Sequence, residues 1–164
     1  MTNTIMATLR NEFADLNDPE QFTRVALRLT VATLLGAVVG YERERAGRPA
    51  GLRTHMLVAL GAALFVIACD ESGMDSAGLS RVIQGIATGI GFIGGGAILK
   101  LTSEREIKGL TTAAGIWMTA AVGIAAGLGR WGSAAIGVVL TWIILSILIK
   151  LEKPDPRPKD PKET

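Results

Sequence analysis

The chain has 164 residues, 49% of them hydrophobic and 20% charged, with a mean hydropathy of +0.38 and a formal net charge of +2. That balance suits one domain and is too weakly basic for a nucleic-acid partner. One cysteine, Cys69, excludes an internal disulfide and a cysteine metal cage, and one histidine, His55, excludes a multi-histidine zinc site, so no metal or cofactor is expected.

In chain order, residues 1–21 carry Glu12, Asp15, Asp18 and Glu20 without an apolar core, which is not the pattern of a secretory signal peptide. Residues 2–20 read as an amphipathic helix on the outer surface, with Phe13, Leu16 and Phe22 toward lipid. Five apolar stretches follow, at 22–41, 52–69, 81–99, 110–128 and 131–149. Each approaches the roughly 20 residues that a helix needs to cross a hydrocarbon core of about 30 Å, and none contains proline. The expected fold is all-α: a polytopic transmembrane helical bundle of five spans over residues 22–149, with short connections and sequential antiparallel packing. The tail, residues 150–164, alternates proline and charge, cannot bury an apolar core and is expected to be disordered.

Lys and Arg set the orientation. Arg43, Arg45, Arg48 and Arg53 flank the first connection; Lys100, Arg105 and Lys108 flank the third; Lys150, Lys153, Arg157, Lys159 and Lys162 lie in the tail. These twelve of the 17 basic residues fall on one side, which predicts the N-terminus outside and the tail in the cytoplasm. Arg10, Arg24, Arg28, Arg81 and Arg130 fall on the other, beside Asp70, Glu71 and Asp75. Tyr41 and Trp131 sit near the expected interfaces, where amphipathic rings belong.

The stretch GIGFIGGG, residues 89–96, contains G-x-G-x-x-G, the pattern of a dinucleotide-binding turn. It lies inside an apolar span with no strand before it, so the nucleotide reading fails. Small residues let membrane helices approach closely, and G-x-x-x-G is a common form. That spacing recurs at Gly36/Gly40, Gly85/Gly89 and Gly91/Gly95, and the fourth span has a row of Gly115, Thr119, Gly123 and Gly127. Gly94, Gly95 and Gly96 are also poor helix propagators, so a helix break exposing backbone to a ligand stands beside close packing as a reading of that run.

Polar groups at membrane depth are functional candidates. Arg28 lies two turns into the first span, either snorkelling outward or meeting a buried carbonyl or carboxylate. Gln84, Thr88, Gly91 and Gly95 share one helical face, and Thr112, Thr119, Gly123 and Arg130 share another. These faces suit interhelical hydrogen bonds or a polar cavity between the third and fourth spans. At the inner rim stand Glu42, Arg43, Arg53, Thr54, His55, Lys108, Thr111 and Thr112. Helical residues 53 and 55 point about 160° apart, so Arg53 and His55 cannot face one cavity. Arg53 with Lys108 suits an anion or a lipid head group, while Glu42 with Arg53 suits a structural ion pair. Trp117 at mid-span reads as packing. No carboxylate lies centrally in any span, so a dedicated magnesium path is not supported by the ligands on offer. Nor is there a nucleophile–base pair for an enzyme.

The blocks LLGAVVGYERERAGRPAGLRTHMLVALGAALF, GIGFIGGGAI and GLTTAAGIWMTAAVGIAAGLG resemble the signature blocks of the MgtC/SapB membrane-protein family, over about residues 25–130. The resemblance implies a bacterial inner-membrane protein linked to growth at low magnesium and survival inside macrophages. It implies a modulator rather than a magnesium transporter, with the F-type ATP synthase as a partner. Carried over by position, the family's motif residues are Glu42, Arg43, Arg53, Thr54, His55, Gly89, Gly91, Phe92, Gly94, Gly96, Gly109, Leu110, Thr111, Thr112, Ala113 and Trp117. Family members named for magnesium carry a soluble C-terminal domain where this sequence has a short tail, which weakens the virulence and ATP-synthase roles here. The expected protein is a non-enzymatic, lipid-embedded regulator, a homodimer in its simplest assembly. A small ion or solute transporter is the alternative.

Overall fold

Long apolar runs with charged ends fold as helices in lipid because each backbone polar group must then be satisfied within its own segment. The computed structural model describes residues 1–12, 18–99 and 109–147, and over these it is all-helical. The helices are α1 (Thr2–Glu12), α2 (Pro19–Arg45), α3 (Leu52–Glu71), α4 (Ser76–Leu99), α5 (Leu110–Gly127) and α6 (Trp131–Ser146). Four of them, α2 to α5, are long and apolar enough to cross a membrane, and α6 is a shorter apolar helix of 16 residues. The expected amphipathic segment contains α1, but Phe13 and Leu16 lie outside the described residues, as do the tail, Lys100, Arg105 and Lys108.

Local signals place the helix ends. Asp18 caps α2 by accepting from Glu20 N–H at 3.0 Å, with Pro19 in the first turn where a missing N–H costs nothing. Asp75 caps α4 through Gly78 N–H at 2.7 Å. The first span is longer than the hydropathy suggests: α2 runs four residues past Tyr41, so Glu42 to Arg45 are helical rather than loop. After α5 the chain turns at Gly129 with φ +73°, a left-handed conformation that favours glycine.

Within the bundle α3 is held between α2 and α5. On one side α2 presses Gly36 and Gly40 onto it: a Cβ at Gly36 would stand 2.7 Å from the His55 carbonyl oxygen, and one at Gly40 2.7 Å from Leu52 Cα. On the other side α5 presses Gly123 onto the Ala59 backbone, and a Cβ at Gly127 would stand 2.8 Å from the Ala63 carbonyl oxygen. His55, Ala59 and Ala63, spaced four apart on α3, are fully buried between these two glycine faces. Ala32, Val39, Val122, Ala126, Ala134, Val138 and Leu145 fill the remaining core from α2, α5 and α6. Large apolar side chains such as Leu34, Phe65, Phe92, Ile136 and Trp142 point outward, as they must where the solvent is lipid.

Two threonine hydroxyls inside the bundle are satisfied within their own helices. Thr119 Oγ1 donates to the Gly115 carbonyl at 2.9 Å and Thr141 Oγ1 to the Gly137 carbonyl at 2.7 Å. Back-bonding to the preceding turn is the usual solution for a hydroxyl within a helix. Neither threonine therefore bridges two helices.

Candidate functional site

Two places on this scaffold gather the polar and small residues singled out by sequence. The first lies at the end of the bundle that holds the α2–α3 connection. The α3 N-terminus begins after Gly51, which has no side chain to cap it. Glu44 supplies the missing acceptor, taking Leu52 N–H at 2.9 Å on its Oε2. This fixes the hairpin and leaves the neighbouring Arg43 turned inward. Arg43 is only 3% exposed and donates through Nη2 to Thr112 Oγ1 at 2.8 Å, joining α2 to the first turn of α5. His55, one turn into α3, is completely buried and its Nδ1 lies 3.0 Å from the Gly51 carbonyl oxygen. Its Nε2 faces Gly115, where an added Cβ would stand 3.7 Å away.

Arg43, His55 and Thr112 are thus brought together, and Arg53 and Thr111 are not: both are exposed, with Arg53 turned away from His55 as its helical offset requires. Thr54 is half-buried beside them. The expected Glu42–Arg53 ion pair does not form; Glu42 Oε2 is buried without a hydrogen-bond partner, and the described ion pairs are Arg24–Glu20 and Arg28–Asp70. Lys108, the other half of the expected anion site, lies outside the described residues. Among the described residues no group of three or more metal-ligating side chains converges.

The opposite end carries Arg28. Its Nη1 lies 3.0 Å from Asp70 Oδ2, so it has found a carboxylate on α3. Gln21 Nε2 donates to Glu71 Oε1 at 2.8 Å beside it. Glu44 and Asp70 were not among the candidate site residues. For Glu44 the signal was present: a helix beginning at glycine needs its cap from elsewhere.

The second place is α4. Its inward face is Ile86, Ile90, Gly94 and Ala97, and of its glycines from Gly85 onward only Gly94 has a neighbour within 4 Å of an added Cβ, at Ala113. Gly85, Gly89, Gly91, Gly95 and Gly96 meet nothing within that distance. The close packing expected of the third span therefore does not occur within one protomer, whereas that of Gly36, Gly40, Gly123 and Gly127 does. Nor is there a break: α4 is continuous through Gly94, Gly95 and Gly96. Gln84 and Thr88 are exposed on the same outer face, so they line no polar path between α4 and α5. Trp117, expected to pack, is 51% exposed on the outer face of α5. Between α3 and α4 a groove of about 570 Å³ opens outward, walled by Leu57, Gly61, Phe65, Gly85 and Gly89 and floored by Ala120.

Residues 29–154, from within α2 through α6, match the MgtC family. The chain belongs to the MgtC family. It is 44% identical over 140 residues to SrpB of Synechococcus elongatus, covering 79% of this chain and 77% of that protein. It is 41% identical over 132 residues to YhiD of Escherichia coli K12, covering 76% of this chain and 60% of YhiD. MgtC of Salmonella typhimurium LT2 is 41% identical over 124 residues, covering 76% of this chain and 52% of MgtC. The match thus spans little more than half of MgtC, and the shared part is the membrane bundle with both places just described. No solved structure matches the chain. MgtC-family membership and several apolar helices make this a membrane protein.

Proposed function

We propose that this MgtC-family protein is a non-enzymatic modulator in the bacterial inner membrane, tied to magnesium limitation or stress survival, that acts by packing α4 against another membrane helix. The observation that carries the reading is the outer face of α4. Gln84, Thr88, Gly91 and Gly95 recur there at spacings of four, three and four residues, with no neighbour at the glycines. Such a 4-3-4 seam suits a second helix at a shallow crossing angle. Small residues permit the close approach that stabilises helix pairs in lipid, and the Gln84 amide gains a partner that hydrocarbon cannot supply.

The topology this reading uses has five spans, with α6 as the fifth. The described 16 residues of α6 reach about 24 Å at 1.5 Å per residue. Arg43, Arg45, Arg48 and Arg53 gather at one end of the bundle, which supports a cytoplasmic position for that end and an outside N-terminus. A second copy of this chain is the simplest occupant of the seam, because two copies in one membrane place Gln84 and Thr88 at equal depth. The F-type ATP synthase, implied by the family resemblance, is another occupant of the same chemistry.

The test is cross-linking in native membranes of full-length protein carrying Gly91→Cys or Gly95→Cys in a Cys69→Ala background. A disulfide-linked dimer, or a cross-link to a co-purifying membrane protein, supports the reading. Monomer alone with both variants, at native expression, removes it.

A further inference from the structure

Helices α3 and α4 follow each other through a short connection but do not lie flush. α4 packs chiefly on α5 and less on α3, which leaves the groove between them with Ala120 of α5 as its floor. Every residue that lines it is apolar or glycine. The groove has no group to hold water or a polar solute, so hydrocarbon suits it.

Its relief separates two kinds of hydrocarbon. Close approach of a second helix needs a smooth face of small residues. Here Leu57 and Phe65 stand 68% and 65% exposed, one turn before and one turn after Gly61. Gly61, Gly85 and Gly89 have no atom within 4 Å of an added Cβ. The bulky rim holds a helix backbone off, whereas a single flexible acyl chain drops between its side chains. Gly85 and Gly89 also lie about 110° round α4 from the seam of Gln84, Thr88, Gly91 and Gly95, so the groove is a separate surface.

Charge marks the two ends of the groove differently. Arg53, Leu57, Gly61 and Phe65 recur every four residues, so Arg53 continues the α3 wall by one turn. Thr54 stands three residues before Leu57 and four before Val58, both in that wall. Among the described residues, neither the exposed Arg53 side chain nor the Thr54 hydroxyl has an ion-pair or hydrogen-bond partner. Arg43, Arg45, Arg48 and Arg53 outnumber Glu42 and Glu44 at this end. At the other end Arg28 is paired with Asp70, and Glu71 and Asp75 outnumber Arg81. A phosphate is attracted to the first end and repelled from the second.

We propose that the α3–α4 groove binds an anionic phospholipid, with one acyl chain over Ala120 and the phosphate at the Arg53 guanidinium and the Thr54 hydroxyl. Helical side chains lean toward the helix N-terminus, which carries the Arg53 guanidinium from the apolar wall toward head-group depth. The binding needs the chain to be in a membrane and does not need the α4 seam.

The test is native mass spectrometry of full-length protein released from nanodiscs of phosphatidylcholine and phosphatidylglycerol in equal amounts. The wild type should keep phosphatidylglycerol about fivefold more often than phosphatidylcholine, the preference that one arginine gives near an anionic head group. Gly89→Leu fills the groove and should lose most of the bound lipid; Gly61→Leu, on the facing helix, serves where Gly89→Leu does not fold. Arg53→Gln should keep a bound lipid without preference between the two, and Arg81→Gln, at the acidic end, should keep the preference. Gly95→Leu, on the seam, should leave lipid retention unchanged, so loss of the seam and loss of the lipid are told apart. A wild type that keeps no phospholipid, or keeps both kinds equally, overturns the proposal. So does wild-type retention in both Gly89→Leu and Gly61→Leu, a preference unchanged in Arg53→Gln, or a preference lost in Arg81→Gln. A Gly89→Cys disulfide dimer in a Cys69→Ala background, formed without retained lipid, gives the groove to a second copy and likewise overturns it.

Discussion

Arg43 Nη2 and Thr112 Oγ1 lie 2.8 Å apart, a contact between residues 69 positions distant in sequence that ties the end of α2 to the start of α5. Both partners are buried, Arg43 at 3% exposure and Thr112 likewise at 3%. Removing the acceptor strands a charged donor. Thr112→Val, nearly the same shape, is expected to destabilise the bundle by about 1–3 kcal/mol, while Thr112→Ser keeps most of the stability. Thermal unfolding in detergent micelles, followed by circular dichroism, separates the two; equal midpoints for Val and wild type would show the contact to be dispensable.

The glycines divide into two classes that behave oppositely on substitution. At Gly36, Gly123 and Gly127 an added Cβ meets backbone of α3, which cannot move aside as a flexible side chain does. Alanine there is expected to cost about 1–3 kcal/mol through overpacking. At Gly85 and Gly89 a Cβ meets nothing, so alanine is expected to be neutral or to stabilise the protomer by about 0.5–1 kcal/mol through helix propensity. Unfolding midpoints of the five variants in micelles should fall on the two sides of wild type.

Arg28 and Asp70 form an ion pair with unequal exposure, 18% for the arginine side chain and 60% for the aspartate. A half-solvated pair contributes little. A double-mutant cycle over Arg28→Gln and Asp70→Asn should give a coupling of about 1 kcal/mol or less that shrinks as salt rises. A coupling of several kcal/mol, insensitive to salt, would place Arg28 deeper in the hydrocarbon than its pairing suggests.

The arginines around the α2–α3 connection and the acids around the α3–α4 connection set a topology that labelling can read. Cys69 is the only cysteine and is buried, so Cys69→Ala gives a clean background. In intact cells a membrane-impermeant thiol reagent should modify Ser72→Cys and leave Arg48→Cys unmodified until the membrane is opened. The reverse pattern inverts the orientation.

Much of the architecture was legible one residue at a time. Hydropathy depends only on neighbours in the chain, so the apolar helices emerged from the runs themselves. The errors fell at boundaries and partners. Glu42 to Arg45 look like a loop by charge, yet they continue α2 because Arg43 has a buried hydroxyl to meet on α5. Arg28 left two readings open, and Asp70, forty-two positions on, decided between them.

What the sequence determined by itself was that this chain forms apolar helices punctuated by glycine, with Arg43, His55 and Thr112 among its polar candidates and with blocks of the MgtC family. Only the tertiary structure decided which glycines are contacts and which are open surface. Gly36/Gly40 and Gly85/Gly89 have the same spacing and differ solely in whether α3 lies against them. A helix motif specifies a surface that is able to pack; the partner that packs there is set by the arrangement of the other helices, and no local pattern contains that information.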